Sequence, residues 1–574
     1  MKKLIRVDMS KKEVKIQEVP SVYKNLGGRS FTSQITADEV PPTCHPLGPN
    51  NKLTITIGMF AGTSFPCSGR LSIGGKSPLT WGVKESNVGG TASWKLARIG
   101  VKAIIIEGLP NYNHNLYLLR LAKDKSELIP TDGFSKMGTY QLVSELRKQY
   151  GENIGVIANG PAGELMLSAA GIGVTDTEGN PCDYAGRGGM GAVLGSKKIK
   201  AIIIDDKNGS EKKIPIHDKK RFSGIAKEIT KQLLHLKKAM TDYGTAIEIL
   251  ISNKLRYLPT ENYRFGEFVG AAKISGEAMY SIIKERGGKN AKPCMHGCPI
   301  RCSNTYNDGM GRYLTSSLEY ETIALLGSNL GIDDLDIIAE MDRLCDDFGL
   351  DTMEIGAAIG VAMEAGLLSF GDSKKAIELI REVVKGTPFG RIIGNGVEVT
   401  GKIFAVRRTP SVKGQGLAAY DPRGNKGMGV TYMSSTMGAD HTAGCVIPGR
   451  TGFDSSKAYS LLMPDGLEEL SLDLQVMAAI FDHMGICFFV GLEPQTIRKL
   501  VDLYNAGYGT KITFEDLVEM GRNVLRVEKS FNEKAGIVPV HHLPEFLENE
   551  PLPPHNTVFD VSFDTISKAH EKYL

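Results

Sequence analysis

The chain has 574 residues, 41% hydrophobic and 23% charged content and a formal net charge of +3, the make-up of an ordinary globular enzyme. That near-balance excludes a dedicated nucleic-acid or anionic-membrane surface, and no apolar run approaches the ~20 residues of a membrane span. Length suggests about three or four domains, and glycine, at 66 residues, stands well above the ~7% average, so backbone can approach a ligand closely in many tight loops.

The chain opens with two short strands around the turn Ser10-Lys11-Lys12, with no apolar leader core. Nine cysteines without such a leader point to thiols and a metal cluster in a reducing cytoplasm rather than to disulfides. Further strands are expected at Leu53–Ile57, Lys102–Glu107, Asn115–Leu119 and Lys200–Asp205. Two of them are nearly one word, KAIIIE and KAIIID, and each follows a glycine pair, Gly89-Gly90 and Gly188-Gly189. This reads as an internal duplication that makes a pseudo-symmetric β base. Glycine-rich words with basic residues accompany each copy: Cys67 to Ser77 with Arg70 and Lys76, then Asn87 to Gly90; and Tyr184 to Lys197 with Ala185, Gly186, Arg187 and Gly188. Exposed N–H groups beside Arg and Lys suit a phosphate-bearing cofactor. Neither word is a Walker A loop or a Rossmann fingerprint.

From residue 211 the pattern turns helical. An amphipathic helix is expected from Ile214 to Met240. A loop then carries Cys294, Cys298 and Cys302 among Pro293, Gly297 and Pro299. Thiols so spaced in a Pro/Gly loop mark an iron–sulfur or metal site. Zinc fits less well because there is no second cysteine pair, and a 4Fe–4S cluster needs a fourth thiolate, for which Cys487 is the candidate. Glu319 and Glu321 open the next helix as candidate bases or as first-turn acids that the helix dipole favours, the pattern alone favouring the second. The helix Asp334 to Phe348 runs into Asp346-Asp-Phe-Gly349-Leu350-Asp351, with Gly349 as C-cap and Asp351 as the next N-cap. The same word returns after a second helical stretch, Leu467 to Phe481, as Asp482-His-Met-Gly485-Ile486-Cys487, which suggests one recognition loop per half of a two-part cofactor. Tyr420 and His441 lie in glycine-flanked polar loops, and His441 is the candidate proton-transfer histidine. The Pro-rich tail, Val538 to Leu574, is expected as surface coil.

Together these words resemble the tungsten-containing aldehyde ferredoxin oxidoreductases over nearly the whole chain. The resemblance implies an α+β fold: a β-rich pseudo-symmetric N-terminal domain (1–210) followed by two mostly α-helical domains (211–415 and 416–574). It implies a tungsten, less often molybdenum, bis-pterin cofactor, a magnesium held by the backbone carbonyls of Asn87 and Ala185, and one 4Fe–4S cluster on Cys294, Cys298, Cys302 and Cys487. By the same resemblance Arg70 lies between cluster and pterin. Gly89, Gly90, Ala185, Gly186, Arg187 and Gly188, with Asp346, Gly349, Leu350, Asp351, Asp482 and Ile486, belong to the pterin loops, and Glu340 is a further acid near the cofactor. Glu321, Tyr420 and His441 line the substrate side. Family members commonly show CxxCxxxC, whereas the first gap here is three residues, which would fit a subgroup with different electron partners.

The implied activity is oxidation of an aldehyde to its acid with water as oxygen source. Electrons would pass to ferredoxin or to iron–sulfur or flavin subunits, in a chain that could be a homo-oligomer. The alternatives are the catalytic subunit of a benzoyl-CoA-type aromatic-ring reductase and a non-catalytic iron–sulfur scaffold.

Overall fold

The computed structural model describes residues 3–110, 115–207, 209 and 215–573. Twelve strands occupy its first part: β1 Lys3–Asp8, β2 Glu13–Glu18, β3 Leu53–Ile57, β4 Leu71–Lys76, β5 Val83–Val88, β6 Val101–Glu107, β7 Leu116–Ala122, β8 Ser126–Thr131, β9 Gly155–Asn159, β10 Ile172–Val174, β11 Asp183–Ala185 and β12 Ile199–Asp205. They form two six-stranded mixed sheets, ordered β2-β1-β6-β3-β4-β5 and β8-β7-β12-β9-β10-β11. Every strand of the first sheet has its counterpart six places on in the second. The duplicated words are the central strands β6 and β12, each parallel to the first strand of its repeat and antiparallel to the third.

Strand periodicity explains how the two sheets pack. Ile104 and Ile106 of β6 and Ile202 and Ile204 of β12 point into one shared core between the sheets, because residues two apart share a face. The alternate residues face outward onto helices: Ala103 and Ile105 onto Phe31 and Ile35 of the helix Gly28–Glu39, and Ala201 and Ile203 onto Leu142, Val143 and Leu146 of the helix Thr139–Tyr150. A strand buried on both faces reads as a continuous apolar run, which is why KAIII appears twice. The lysine of each word sits in a bulge at the same register. Lys102 and Lys200 are buried, and each ammonium donates to backbone carbonyls, of Tyr23 and Lys24 and of Met137 respectively.

The rest of the described chain is mostly helical, so the fold is α+β. Asp218 caps the helix Lys219–Leu236 by accepting from the Arg221 N–H. This helix is shorter than its sequence pattern suggests, because Lys237 leaves helical geometry before a second helix, Lys238–Tyr243; Ile214 lies outside the described residues. The tail differs from the expected coil. It contains the helices Glu545–Asn549 and Phe563–Tyr573, because Phe546, Leu547 and Ile566 bury their side chains. Leu574 lies outside the described residues. Among the described residues no helix is long and apolar enough to cross a membrane.

The repeated carboxylate words join the helices to the sheets. Each ends its helix in a left-handed glycine, Gly349 (φ 75°) or Gly485 (φ 71°), and each glycine lies against the residue that follows the third strand of one repeat. A Cβ on Gly160, after β9, would lie 2.6 Å from Gly349 N; one on Gly58, after β3, would lie 2.2 Å from Gly485 Cα. The carbonyls of Gly349 and Gly485 then accept from Gly171 N (3.0 Å) and Arg70 N (3.1 Å), one residue before β10 and β4. Backbone on backbone leaves no room for a methyl group. Gly58→Ala and Gly160→Ala are each expected to destabilise by about 1–3 kcal/mol, the usual cost of overpacking. The check is a fall in thermal midpoint beside Gly133→Ala, whose Cβ would meet nothing within 4 Å. Equal midpoints in all three would show that the junctions are slack.

Candidate functional site

The cysteine loop joins the strand Lys289–Lys292 to the strand Ser303–Asn307. Lys292 anchors its start through a buried ion pair with Asp176. Left-handed turns at Gly297 (φ 75°) and Arg301 (φ 54°) fold the loop so that its thiols face the β base. Gly90 N donates to Cys294 O at 3.0 Å, and Cys487 N donates to Cys67 O at 2.9 Å. Cys294, Cys298, Cys302 and Cys487 thus assemble at the edge of the first sheet, and Cys67 joins them with its sulfur 3.7 Å from that of Cys298.

The thiols divide their protons unevenly. Cys298 is pulled far down by hydrogen bonds from Cys294 and Cys67 and by the N–H groups of Arg301 and Ile300. Cys67 and Cys294 are pushed up, first by donating to Cys298 and then by burial. Burial also raises Cys302 and Cys487, the latter against the charge of Arg70. One thiolate among hydrogen-bonded thiols is a soft, proton-releasing donor set. Among the described residues no group of three or more His, Cys, Asp or Glu side chains is arranged to hold a single metal ion.

Arg70 leads inward from the thiols. It donates to both the side chain and the carbonyl of Asn87, and burial, which would lower its pKa, is outweighed by Cys487, Cys294, Asp183 and Asp482. Asn87 Nδ2 continues to Asp482 Oδ1 at 3.3 Å. Burial pushes Asp482 and Asp346 well above the ordinary carboxylate range and Asp183 up to about 8. Asp183 Oδ2 is buried with no hydrogen-bond partner. Buried carboxyls of this kind need N–H donors. Asp346 accepts from Tyr140, and Tyr184 donates to its carbonyl.

Arg187 organises the far side. Its Nη1 donates to Ala439 O (2.9 Å), Nη2 to Gly416 O (2.8 Å) and Glu354 (3.2 Å), and Nε to Asp351 (3.3 Å). One guanidinium therefore fixes the second glycine-rich word, the first carboxylate word and the His441 loop to each other, a use its planar fork suits. Asp440 pairs with Lys84 of β5 and caps the turn that presents His441, accepting from Thr442 N at 3.0 Å. His441 Nε2 then lies 3.4 Å from Glu321 Oε1. That is ion-pair distance without hydrogen-bond geometry, and both Glu321 Oε1 and His441 Nδ1 are buried without hydrogen-bond partners. Glu321 Oε2 accepts from Ala419 N at 2.7 Å. Burial raises Glu321 against the opposing pull of His441. Tyr420 packs over His441, ring centroids 6.0 Å apart, and burial keeps its phenol protonated.

The sequence-expected residues divide as follows. Cys294, Cys298, Cys302 and Cys487 come together beside Gly89, whose Cβ would meet the Cys294 sulfur at 3.3 Å, and beside Gly90. Ala185 pairs with Ile172, Gly186 faces Asp351, and the Gly188 carbonyl accepts from Ser77. Leu350 bridges to Ala170, and Ile486 closes its helix by donating to Phe481 O. Glu321, Tyr420 and His441 form one group, with Tyr420 buried and the other two half-buried. Glu340 is corrected: it pairs with Arg381 at the surface (2.9 Å, both side chains at least 40% exposed). Helical spacing puts Met341, Asp342 and Cys345 on the inward face instead. Cys67 was missed, although it stands in the same glycine-rich word as Arg70. Asp183, Lys84 and Glu354 carried no local signal.

Two family models match the chain: "Aldehyde ferredoxin oxidoreductase, N-terminal domain" over residues 4–206 and "Aldehyde ferredoxin oxidoreductase, domains 2 & 3" over residues 224–573. The chain is 32% identical over 579 residues to the tungsten-containing aldehyde ferredoxin oxidoreductase of Pyrococcus furiosus, covering 96% of this chain and 92% of that one. It is 26% identical over 576 residues to the WOR-like subunit of an aliphatic sulfonate oxidoreductase of Pyrococcus furiosus, covering 92% and 85%. Among solved structures, the active site complex BamBC of benzoyl coenzyme A reductase superposes with a TM-score of 0.81 at 18% identity, over 100% of this chain and 93% of that one. At that identity the likeness is one of fold.

Proposed function

The chain belongs to the aldehyde ferredoxin oxidoreductase family, and from that premise we propose that it oxidises an aldehyde to the carboxylic acid. Water supplies the oxygen, and two electrons and two protons leave. The observation that carries this reading is a continuous run of buried and half-buried charged groups from thiols to proton acceptors. It passes from Cys487 and Cys294 to Arg70 and Asp482, then to Asp440 and Arg187, and ends at Glu321 and His441.

The residues suit a tungsten-bis-pterin and a 4Fe–4S cluster. Asp183, Asp346 and Asp482 offer buried acceptors to the N–H edges of two pterins, one carboxylate word to each. Cys294, Cys298, Cys302 and Cys487 offer the thiolates, and the carbonyls of Asn87 and Ala185 offer oxygen to a magnesium. When bound, the tungsten cofactor accepts the two electrons and polarises the carbonyl. The protein handles protons. Glu321 Oε1, free of donors and raised in basicity by burial, takes a proton from the attacking water, and His441 Nε2 shares it at 3.4 Å. The protonated Tyr420 donates to the developing oxyanion. Arg70 holds positive charge between the acceptor carboxyls and the thiols, where electrons leave singly.

Metal analysis and turnover test this together. Protein purified without oxygen is expected to hold about one tungsten and four irons per chain and to reduce viologen dye with an aldehyde. Cys298→Ser is expected to lose most of the iron, while Cys44→Ser, outside the thiol group, keeps it. Zinc in place of iron, or no turnover with aldehydes but oxidation of reduced viologen by an aromatic thioester, would overturn the reading.

A further inference from the structure

The helix Lys219–Leu236 leaves part of its apolar stripe unburied. Leu233 packs into the core, but Leu234 and Leu236 are 61% and 72% exposed at its end. Beside them a groove of about 480 Å³ opens against the cysteine loop. Leu234, Lys238 and Thr241 form one wall, Gly297, Pro299 and Arg301 the other, and Cys298 lies between them. Its outer lip is backbone: a Cβ on Gly297 would meet nothing within 4 Å.

The charge around this groove is predominantly positive. Segments 231–243 and 294–302 carry Lys231, Lys237, Lys238 and Arg301 against a single carboxylate, Asp242. Asp242 pairs with Lys238, and the adjacent Glu493 pairs with Arg450 at 3.5 Å. Among the described residues no carboxylate lies within ion-pair distance of Lys231 or Arg301. Two exposed leucines inside a basic rim, directly over a thiol of the proposed cluster, have the anatomy of a small redox interface: an apolar centre, a charged rim and a short path for the electron.

We propose that this groove is the docking face for a small acidic iron–sulfur protein that takes electrons one at a time from the cluster held by Cys298. The inference rests on the electron-exit reading above. Each aldehyde oxidised delivers two electrons, so two oxidised carriers dock in turn and each leaves reduced by one electron. Leu234 and Leu236 supply the desolvated contact, and Lys231 and Arg301, cations without a carboxylate partner among the described residues, steer the acidic carrier, so association falls with ionic strength.

The test uses the loaded enzyme and two acceptors, methyl viologen and an acidic two-cluster bacterial ferredoxin, with Lys231→Glu/Lys238→Glu and Leu234→Asp as variants. The expected result is a loss of tenfold or more in kcat/KM for ferredoxin in both variants, a similar loss for wild type on raising the salt from 50 to 500 mM, and an unchanged viologen rate. Binding of ferredoxin to wild type and variants, followed by surface plasmon resonance, reads the face without turnover. Wild type without aldehyde activity on viologen but with variant-sensitive ferredoxin binding would sink the proposed reaction and keep the docking face. Variants that bind and reduce ferredoxin as wild type does, or a wild type that does not bind it, would overturn the face itself.

Discussion

Glu321→Gln is expected to lower kcat by about 10²–10⁴-fold, the usual worth of a positioned general base, with tungsten and iron content unchanged. The amide keeps the shape of the side chain and can still meet the Ala419 N–H side of the site, but it cannot take a proton from water. The pH profile gives the sharper readout. Burial raises the Glu321 carboxyl, partly offset by His441, so the basic form exists only above that raised value. The acid limb of kcat/KM should therefore stand above the ~4.3 of a free glutamate, with activity lost as pH falls through it, and the limb should be absent in the Gln variant. His441→Ala, which removes the proton's next position, is expected to cost less than Glu321→Gln. A Gln variant with full turnover and the same acid limb would exclude Glu321 as the base.

The second large effect concerns stability. Arg29 and Glu528, 1% and 0% exposed, form a bidentate pair with both bonds at 2.8 Å. Ser33 and Thr436 also donate to Glu528, and Arg29 lies 3.7 Å from Asp482. The pair thus joins the helix Gly28–Glu39 to the helix Phe514–Lys534 and braces the second carboxylate word. Arg29→Met leaves a buried carboxylate without its cation, a loss of about 3–5 kcal/mol. The double variant Arg29→Met/Glu528→Met should regain most of it, because two apolar side chains leave no charge stranded. Burial pushes Glu528 up, but the charge and hydrogen bonds of Arg29 outweigh it and hold the carboxyl below its ordinary range. The pair's contribution is therefore full above the unfolded value near ~4.3 and fades as pH falls through the lower folded value. Denaturation midpoints of single and double variants decide: a double variant as unstable as the single would show that packing, not charge, is what Arg29 supplies.

How much of this was legible in the sequence depended on whether a feature was local. KAIIIE and KAIIID announced the paired sheets because a strand buried on both faces has little freedom in composition. Gly349 and Gly485 announced helix ends because a left-handed cap favours glycine. The thiol loop was legible for the same reason, its chemistry lying in nine consecutive residues. Features assembled across the chain were not. Arg29 and Glu528 carry nothing that pairs them before folding, and Cys67 looks like any cysteine until Cys487 N–H docks on its carbonyl. Glu340 was misplaced because family position was read without helix phase, which turns it outward to Arg381. The tail was read as coil from its prolines, whereas Phe546, Leu547 and Ile566 gain enough by burial to fold short helices.

The paired glycine junctions also bear on the order in which the molecule can be completed during synthesis. The second repeat, finished at β12, meets its partner glycine at residue 349. The first repeat is made earlier but waits for Gly485 before Gly58 and the end of β3 are covered. At ordinary elongation rates that delay is on the order of tens of seconds. The sheet that leaves the ribosome first is therefore the last to be sealed, and with it the face that receives Cys487. The thiol group cannot be whole until nearly the entire chain is made, so loading of any cluster that uses Cys487 is a late step.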